Sequence, residues 1–180
     1  MYALYRDVEP RDMKFARLSA KENTWQKLGA VGDFQWDFDG CPHVGGGIAI
    51  EEKGEAKVVH SVVWTGKKEE EGFYYFRSLD DGETWSDPRK FGDNSAKHGD
   101  ITVNEKGHLA IVWDEFVQNQ RAIFLSTSTD SGTSWSKARR VSLPGMDTVY
   151  PRVVAVKNDF HAFWTESSKD NKSTWKMTSF

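Results

Sequence analysis

Two eight-residue segments of this chain match almost position by position. Ser78-Leu79-Asp80-Asp81-Gly82-Glu83-Thr84-Trp85 and Ser128-Thr129-Asp130-Ser131-Gly132-Thr133-Ser134-Trp135 both read Ser-x-Asp-x-Gly-x-(Thr/Ser)-Trp, and their tryptophans stand 50 residues apart, from 85 to 135. A second marker runs in phase with the first. Apolar runs ending in Trp occur at Val62-Val63-Trp64, Ile111-Val112-Trp113 and Ala162-Phe163-Trp164, at intervals of 49 (64 to 113) and 51 (113 to 164). Two independent markers with one period identify a tandem supersecondary unit.

Each period holds four strand-like pieces. In the first full period these are Val44–Ile50, Lys57–Trp64, Gly72–Ser78 and Trp85–Phe91, separated by turn signals at Lys53-Gly54, Thr65-Gly66 and Asp81-Gly82. The next period repeats the order with Ile101–Asn104, His108–Trp113, Arg121–Ser128 and Trp135–Ser142. A four-stranded antiparallel unit of about fifty residues fits one blade of an all-β propeller. Before the full periods, Tyr2–Tyr5, Met13–Ser19 and Trp25–Val31 read as second, third and fourth strands, with Leu18–Trp25 at the motif position but without its Ser, Asp and Gly. At the far end, Arg152–Val156, Phe160–Trp164 and Ser173–Ser179 read as first, second and third strands. The expectation is one partial propeller domain over residues 1–180, about three and a half blades, with units near 1–37, 38–95, 96–146 and 147–180.

Composition agrees with a β-rich chain carrying aromatic cores: eight Trp and eleven Phe accompany 15 Gly. A balance of 24 Lys plus Arg against 27 Asp plus Glu gives no electrostatic reason to expect nucleic acid or an anionic membrane as a partner. No apolar run approaches a membrane span, and the opening Met-Tyr-Ala-Leu-Tyr-Arg does not read as a secretory leader, so the chain as written is expected in the cytoplasm. The single cysteine, Cys41, excludes an intrachain disulfide and reads as a buried structural thiol. The five histidines show no metal spacing, so no metal and no cofactor are expected.

The motif falls between third and fourth strands and reads as a pinned hairpin turn. Its Asp accepts backbone N–H groups of its own turn, its Gly supplies positive φ, and its hydroxyls satisfy further turn groups. Its Trp is expected to open the fourth strand and to wedge between blades. On this reading Ser78, Asp80, Gly82, Thr84 and Trp85, and likewise Ser128, Asp130, Gly132, Ser134 and Trp135, are structural. Asp80 and Asp130 recur in different blades, whereas an acid–base pair acting on one glycosidic bond must stand within roughly 5–10 Å.

These residues resemble the Asp-box, or bacterial neuraminidase, repeat of sialidases and of many non-catalytic propellers. The resemblance extends over nearly the whole chain. It implies the propeller fold strongly and an activity weakly. Sialidases of this fold clamp a substrate carboxylate with three arginines and use an Asp acid/base with a Tyr–Glu nucleophile. The first arginine sits in an Arg-Ile-Pro motif, which this sequence lacks, and Tyr150-Pro151-Arg152 has another order. No catalytic residue is carried over.

The repeat also locates a binding face. First strands run nearest the axis, and the loops leading into them and out of second strands share one side. The positions leading in are Asp39, His43, His98, Asp100, Tyr150 and Arg152; those leading out are Arg6, Asp7, Asp114, Glu115 and Glu166. Together they suit a polar pocket for a small hydroxylated ligand such as a sugar, with Asp100 and Arg152 foremost. Gly45-Gly46-Gly47 reads as a place of close packing at the axis. The functional expectation is a glycan-binding module. The alternatives are a glycoside hydrolase completed by a partner copy or by further sequence, and a non-catalytic scaffold. Open blade faces lead to an expectation of self-association.

Overall fold

In the computed structural model the described residues are 1–19, 21–37, 44–168 and 172–180. They form fourteen strands: β1 (Tyr2–Arg6), β2 (Met13–Ser19), β3 (Thr24–Ala30), β4 (Gly47–Lys53), β5 (Ala56–Thr65), β6 (Gly72–Ser78), β7 (Arg89–Phe91), β8 (Lys97–Val103), β9 (Leu109–Val117), β10 (Gln120–Ser128), β11 (Arg139–Arg140), β12 (Asp147–Val156), β13 (Asp159–Ser167) and β14 (Ser173–Ser179). Neighbours in sequence pair antiparallel throughout, giving sheets of three, four, four and three strands: β1-β2-β3, β4-β5-β6-β7, β8-β9-β10-β11 and β12-β13-β14. Among the described residues there is no helix, and so none long and apolar enough to cross a membrane.

Four stacked sheets have three interfaces, and each interface has its own core. Phe15, Val31, Val59, Val63 and Phe76 fill the first. Val62, Phe73, Tyr75, Phe91, Ile111 and Trp113 fill the second. Val112, Ile123, Leu125, Val153, Phe160 and Trp164 fill the third. A strand in the middle of the stack is buried on both faces. In β9, Ile111 and Trp113 point into the second core while Ala110 and Val112 point into the third. This explains why the second strands read as continuous apolar runs instead of alternating ones.

The two repeated segments are the β6–β7 and β10–β11 turns; their Ser, Asp, Gly and Thr/Ser positions bond alike, and in the second the Trp135 indole N–H also donates to Gly132 O at 3.2 Å. Ser78 Oγ donates to Asp80 Oδ1 at 2.8 Å and accepts from the Gly82 N–H at 2.8 Å. Asp80 also accepts from the Thr84 N–H at 2.9 Å and from Thr84 Oγ1 at 2.6 Å. In the second turn Asp130 accepts from Ser128 Oγ at 2.8 Å, the Ser134 N–H at 2.8 Å and Ser134 Oγ at 2.5 Å. These bonds, the Thr84 and Ser134 hydroxyls first, hold both carboxyls down at about 2. Gly82 and Gly132 take φ of +95° and +77°, and a Cβ on them would lie 2.2 Å from the Phe15 ring and 1.8 Å from the Tyr75 hydroxyl of the preceding sheet.

The fourth strands correct the sequence reading. They were expected over Trp85–Phe91 and Trp135–Ser142 but are only Arg89–Phe91 and Arg139–Arg140. The tryptophans lie in the turn, four residues short of the strand. Ser86 and Ser136 account for the delay. The Ser86 N–H donates to Arg77 O, but its hydroxyl, not its carbonyl, receives the Arg77 N–H at 3.0 Å, and Ser136 does the same to Thr127 at 3.0 Å. In the first case Pro88 then has no N–H to offer. From the turn each Trp reaches back to the preceding sheet: Trp85 stands edge-on to Phe15 at 5.3 Å, and Trp135 to Tyr75 and Phe91 at 5.0 and 5.2 Å.

The first strands also differ. β4 begins at Gly47 instead of Val44, while β8 and β12 begin at Lys97 and Asp147, ahead of Ile101 and Arg152. Both β8 and β12 carry a bulge near the start, between Lys97 and Asp100 and between Val149 and Arg152.

Candidate functional site

Register fixes which residues are equivalent at the starts of the inner strands. Gly47 pairs with Val62, Ile101 with Ile111 and Val153 with Ala162, each partner two residues before the marker Trp. Counting back, Gly46, Asp100 and Arg152 are equivalent, as are Val44, His98 and Tyr150. Six of the seven residues lining a narrow pocket of ≈ 130 Å³ come from Gly45-Gly46, His98-Gly99 and Tyr150-Pro151, and Arg152 is the seventh. One end of three successive sheets therefore builds one concavity.

His98 and Tyr150 are held in the left-handed backbone region, at φ +44° and +56°. That conformation costs about 1–3 kcal/mol for a residue with a side chain. Both outliers are bound to Asp114, which is fully buried within β9. Asp114 Oδ2 lies 2.8 Å from His98 Nδ1 and accepts from the Tyr150 N–H at 3.2 Å. Arg121, from the start of β10, donates to the other carboxyl oxygen, Oδ1. Since a carboxylate only accepts, the His98 proton facing it sits on Nδ1. The Tyr150 ring stands edge-on to the His98 imidazole at 4.6 Å. One buried carboxylate thus sets both bulges and orients both rings.

Asp100 and Arg152 follow immediately in their strands. Asp100 Oδ2 accepts from the Val153 N–H at 3.1 Å, and Arg152 Nη1 stands 3.8 Å from Asp100 Oδ1. Burial pushes the Asp100 carboxyl up, against the pull of the Val153 N–H and of Arg152. The Arg152 side chain itself remains 68% exposed. Gly46 completes the wall: a Cβ there would meet Val62 O at 2.2 Å, so only a glycine lets the backbone approach this closely.

Of the sequence-derived candidates, His98, Tyr150 and Arg152 line the pocket, and Asp100 and Asp114 support it from behind. The other described ones are engaged elsewhere. Arg6 donates to the Arg11 and Val44 carbonyls and covers the Trp36 ring at 4.6 Å. Asp7 accepts from the Val8 N–H at 2.9 Å. Glu115 takes the Trp113 indole N–H at 3.0 Å and the Asp93 N–H at 3.2 Å. Glu166 faces Lys176 at 3.5 Å. Asp39 and His43 lie outside the described residues, as does Cys41. Arg121 was not a candidate; its signal is a lone Arg opening a third strand opposite a buried acid, visible only once β9 and β10 are paired. Among the described residues no three His, Cys, Asp or Glu side chains gather as a metal site.

No family model and no curated protein sequence matches this chain. Solved structures do. The Hadza microbial sialidase Hz136 superposes with a TM-score of 0.58 at 18% identity, over 97% of this chain and 39% of the sialidase. The NanB sialidase from Streptococcus pneumoniae gives 0.63 at 14% identity, over 97% of this chain and 27% of its own. The endo-arabinase from Bacteroides thetaiotaomicron VPI-5482 gives 0.54 at 13% identity, over 99% and 69%. The fold is a β-propeller. At these identities the likeness is one of fold, and the chain spans well under half the length of the two sialidases.

Proposed function

We propose that this propeller binds a carbohydrate at the inner-strand pocket between His98, Tyr150 and Arg152. The observation that carries the reading is the convergence of equivalent positions from three sheets on one concavity, with two strained residues fixed there by a single buried acid. Strain of this kind persists where the surroundings over-determine a geometry, and it collects at ligand sites. Arg152 offers forked donors to hydroxyl or carboxylate oxygens, and Asp100 steadies its base. Tyr150 and His98 offer ring edges and polar tips to the same ligand. The motif turns, read as Asp-boxes, belong to the scaffold.

Titration of the full chain with N-acetylneuraminic acid, 3′-sialyllactose, arabinobiose and xylotriose, followed by calorimetry, tests the reading. Binding of at least one sugar is expected, and Arg152→Ala should weaken it at least tenfold while leaving the thermal midpoint in place. Absence of binding across the panel at millimolar sugar defeats it. A second reading, hydrolysis, draws on the names of the solved neighbours. Turnover of fluorogenic sialoside or arabinofuranoside substrates would favour it over binding alone.

A further inference from the structure

The inner-strand pocket is small. Its ≈ 130 Å³ falls short of the roughly 300–1,000 Å³ of sites that enclose a complete small ligand. Two of its residues, Tyr150 and Arg152, also line a second concavity of ≈ 360 Å³ on the free face of the last sheet, together with Phe163, Thr165 and Trp175. The two spaces therefore meet around the same pair of side chains, and jointly they come within that range.

The sheet register shows how the outer groove is built. Arg152 lies opposite Phe163, and Thr165 lies opposite Trp175, so the four side chains stand on one face of β12-β13-β14. Trp175 is 84% exposed and Tyr150 is 55% exposed. The groove thus offers aromatic rings with polar groups only at its margin, from Arg152, Thr165 and Tyr150. That chemistry matches a sugar ring, whose C–H face lies on an aromatic surface while its equatorial hydroxyls point to the margin. It does not suit a nucleic acid backbone, which needs several cations. On the free face of the first sheet, by which a second copy would continue the stack, stand Lys14, 4.0 Å from Asp7, and Lys27, and the Lys27 charge opposes pairing with Arg152.

We infer that the ligand is an oligosaccharide of at least two residues, one in the inner-strand pocket and the next stacked on Trp175, with Arg152 and Tyr150 at the linkage between them. This rests on the carbohydrate reading above. The test compares monosaccharide with oligosaccharide. Arabinose is titrated against arabinobiose and arabinotetraose, and N-acetylneuraminic acid against 3′-sialyllactose, on the native chain and on Trp175→Ala and Trp175→Phe, with light scattering on each protein. The expected result is a tenfold or greater gain on lengthening in one series. Trp175→Ala should abolish the gain without weakening the monosaccharide, and Trp175→Phe should keep most of it. Because Trp175 is exposed, folding of the variants is checked by an unchanged far-ultraviolet spectrum. Equal affinity for short and long sugars overturns the two-residue site and leaves the pocket reading intact. No binding by any sugar overturns both. A native dimer that Trp175→Ala converts to monomer shows a second copy on this face and overturns the inference.

Discussion

The two repeated turns share the bonds of their Ser, Asp, Gly and second hydroxyl positions, yet they dock on their neighbours by different chemistry. The difference lies at the residue between Asp and Gly. In the first turn this is Asp81, which accepts from Tyr2 Oη at 2.5 Å and from Arg17 at 2.7 Å, with Arg17 also reaching Glu83 at 3.0 Å. That arrangement is partly open to water. In the second turn it is Ser131, which donates to the buried Glu51 at 2.6 Å. Glu51 in turn lies 3.2 Å from His60 Nε2, and His60 Nδ1 lies 2.8 Å from the Tyr75 hydroxyl. Glu51 can only accept, so His60 carries its proton on Nε2 and takes the Tyr75 O–H on Nδ1. The repeat therefore specifies the turn and leaves the docking position free, and each sheet interface has acquired its own solution.

The comparison is broken most directly at the glycines. Gly132→Ala should cost about 2–5 kcal/mol, combining a left-handed alanine with overpacking against Tyr75. Gly82→Ala should cost less, because Phe15 has no hydroxyl tied to a buried network. Urea midpoints measure both, and a larger loss for Gly82→Ala would reverse the argument. The docking residues come next. Glu51→Ala orphans buried donors and should cost about 2–4 kcal/mol, whereas Asp81→Ala, which removes a partly solvated ion pair, should cost about 1 kcal/mol. Equal losses would mean that burial makes no difference at this position.

The buried network is also tested through pH, where the effect is spread over more than two pH units. Burial, set against the pull of Glu51, holds His60 down at about 4 from an ordinary 6.5. The unfolded chain therefore binds this proton more readily than the folded one. The resulting stability is complete above pH 6.5 and falls as pH drops toward 4, by on the order of 3 kcal/mol in full. His60→Gln should flatten the stability profile across that window, and an unchanged slope would show that another group carries it. Among the described residues the first turn has no counterpart of this histidine.

How much was legible follows from which forces were local. Gly72–Ser78 and Ser173–Ser179 were read to the residue, because their ends are marked by glycine, serine and apolar runs. The fourth strands were overextended, because a hydroxyl standing in for a carbonyl cannot be told from an ordinary strand serine. The inner bulges were missed entirely, since they arise from Asp114 gripping His98 and Tyr150 across 16 and 36 positions of chain. The site shows the same division. Asp100, Tyr150 and Arg152 follow from the repeat period alone. The anchoring role of Asp114, the help it has from Arg121, and the idle state of Glu115 depend on pairings between strands, and no spacing encodes them.

The brevity of the outermost strands has a consequence for the protein in crowded solution. β7 and β11 offer three and two residues of free ladder, too little for a foreign chain to zip onto. β3 runs for seven residues and has no such protection among the described residues. Fibrillar growth on the outer edges, if provoked by heat or concentration, would therefore start at β3 and not at β7 or β11.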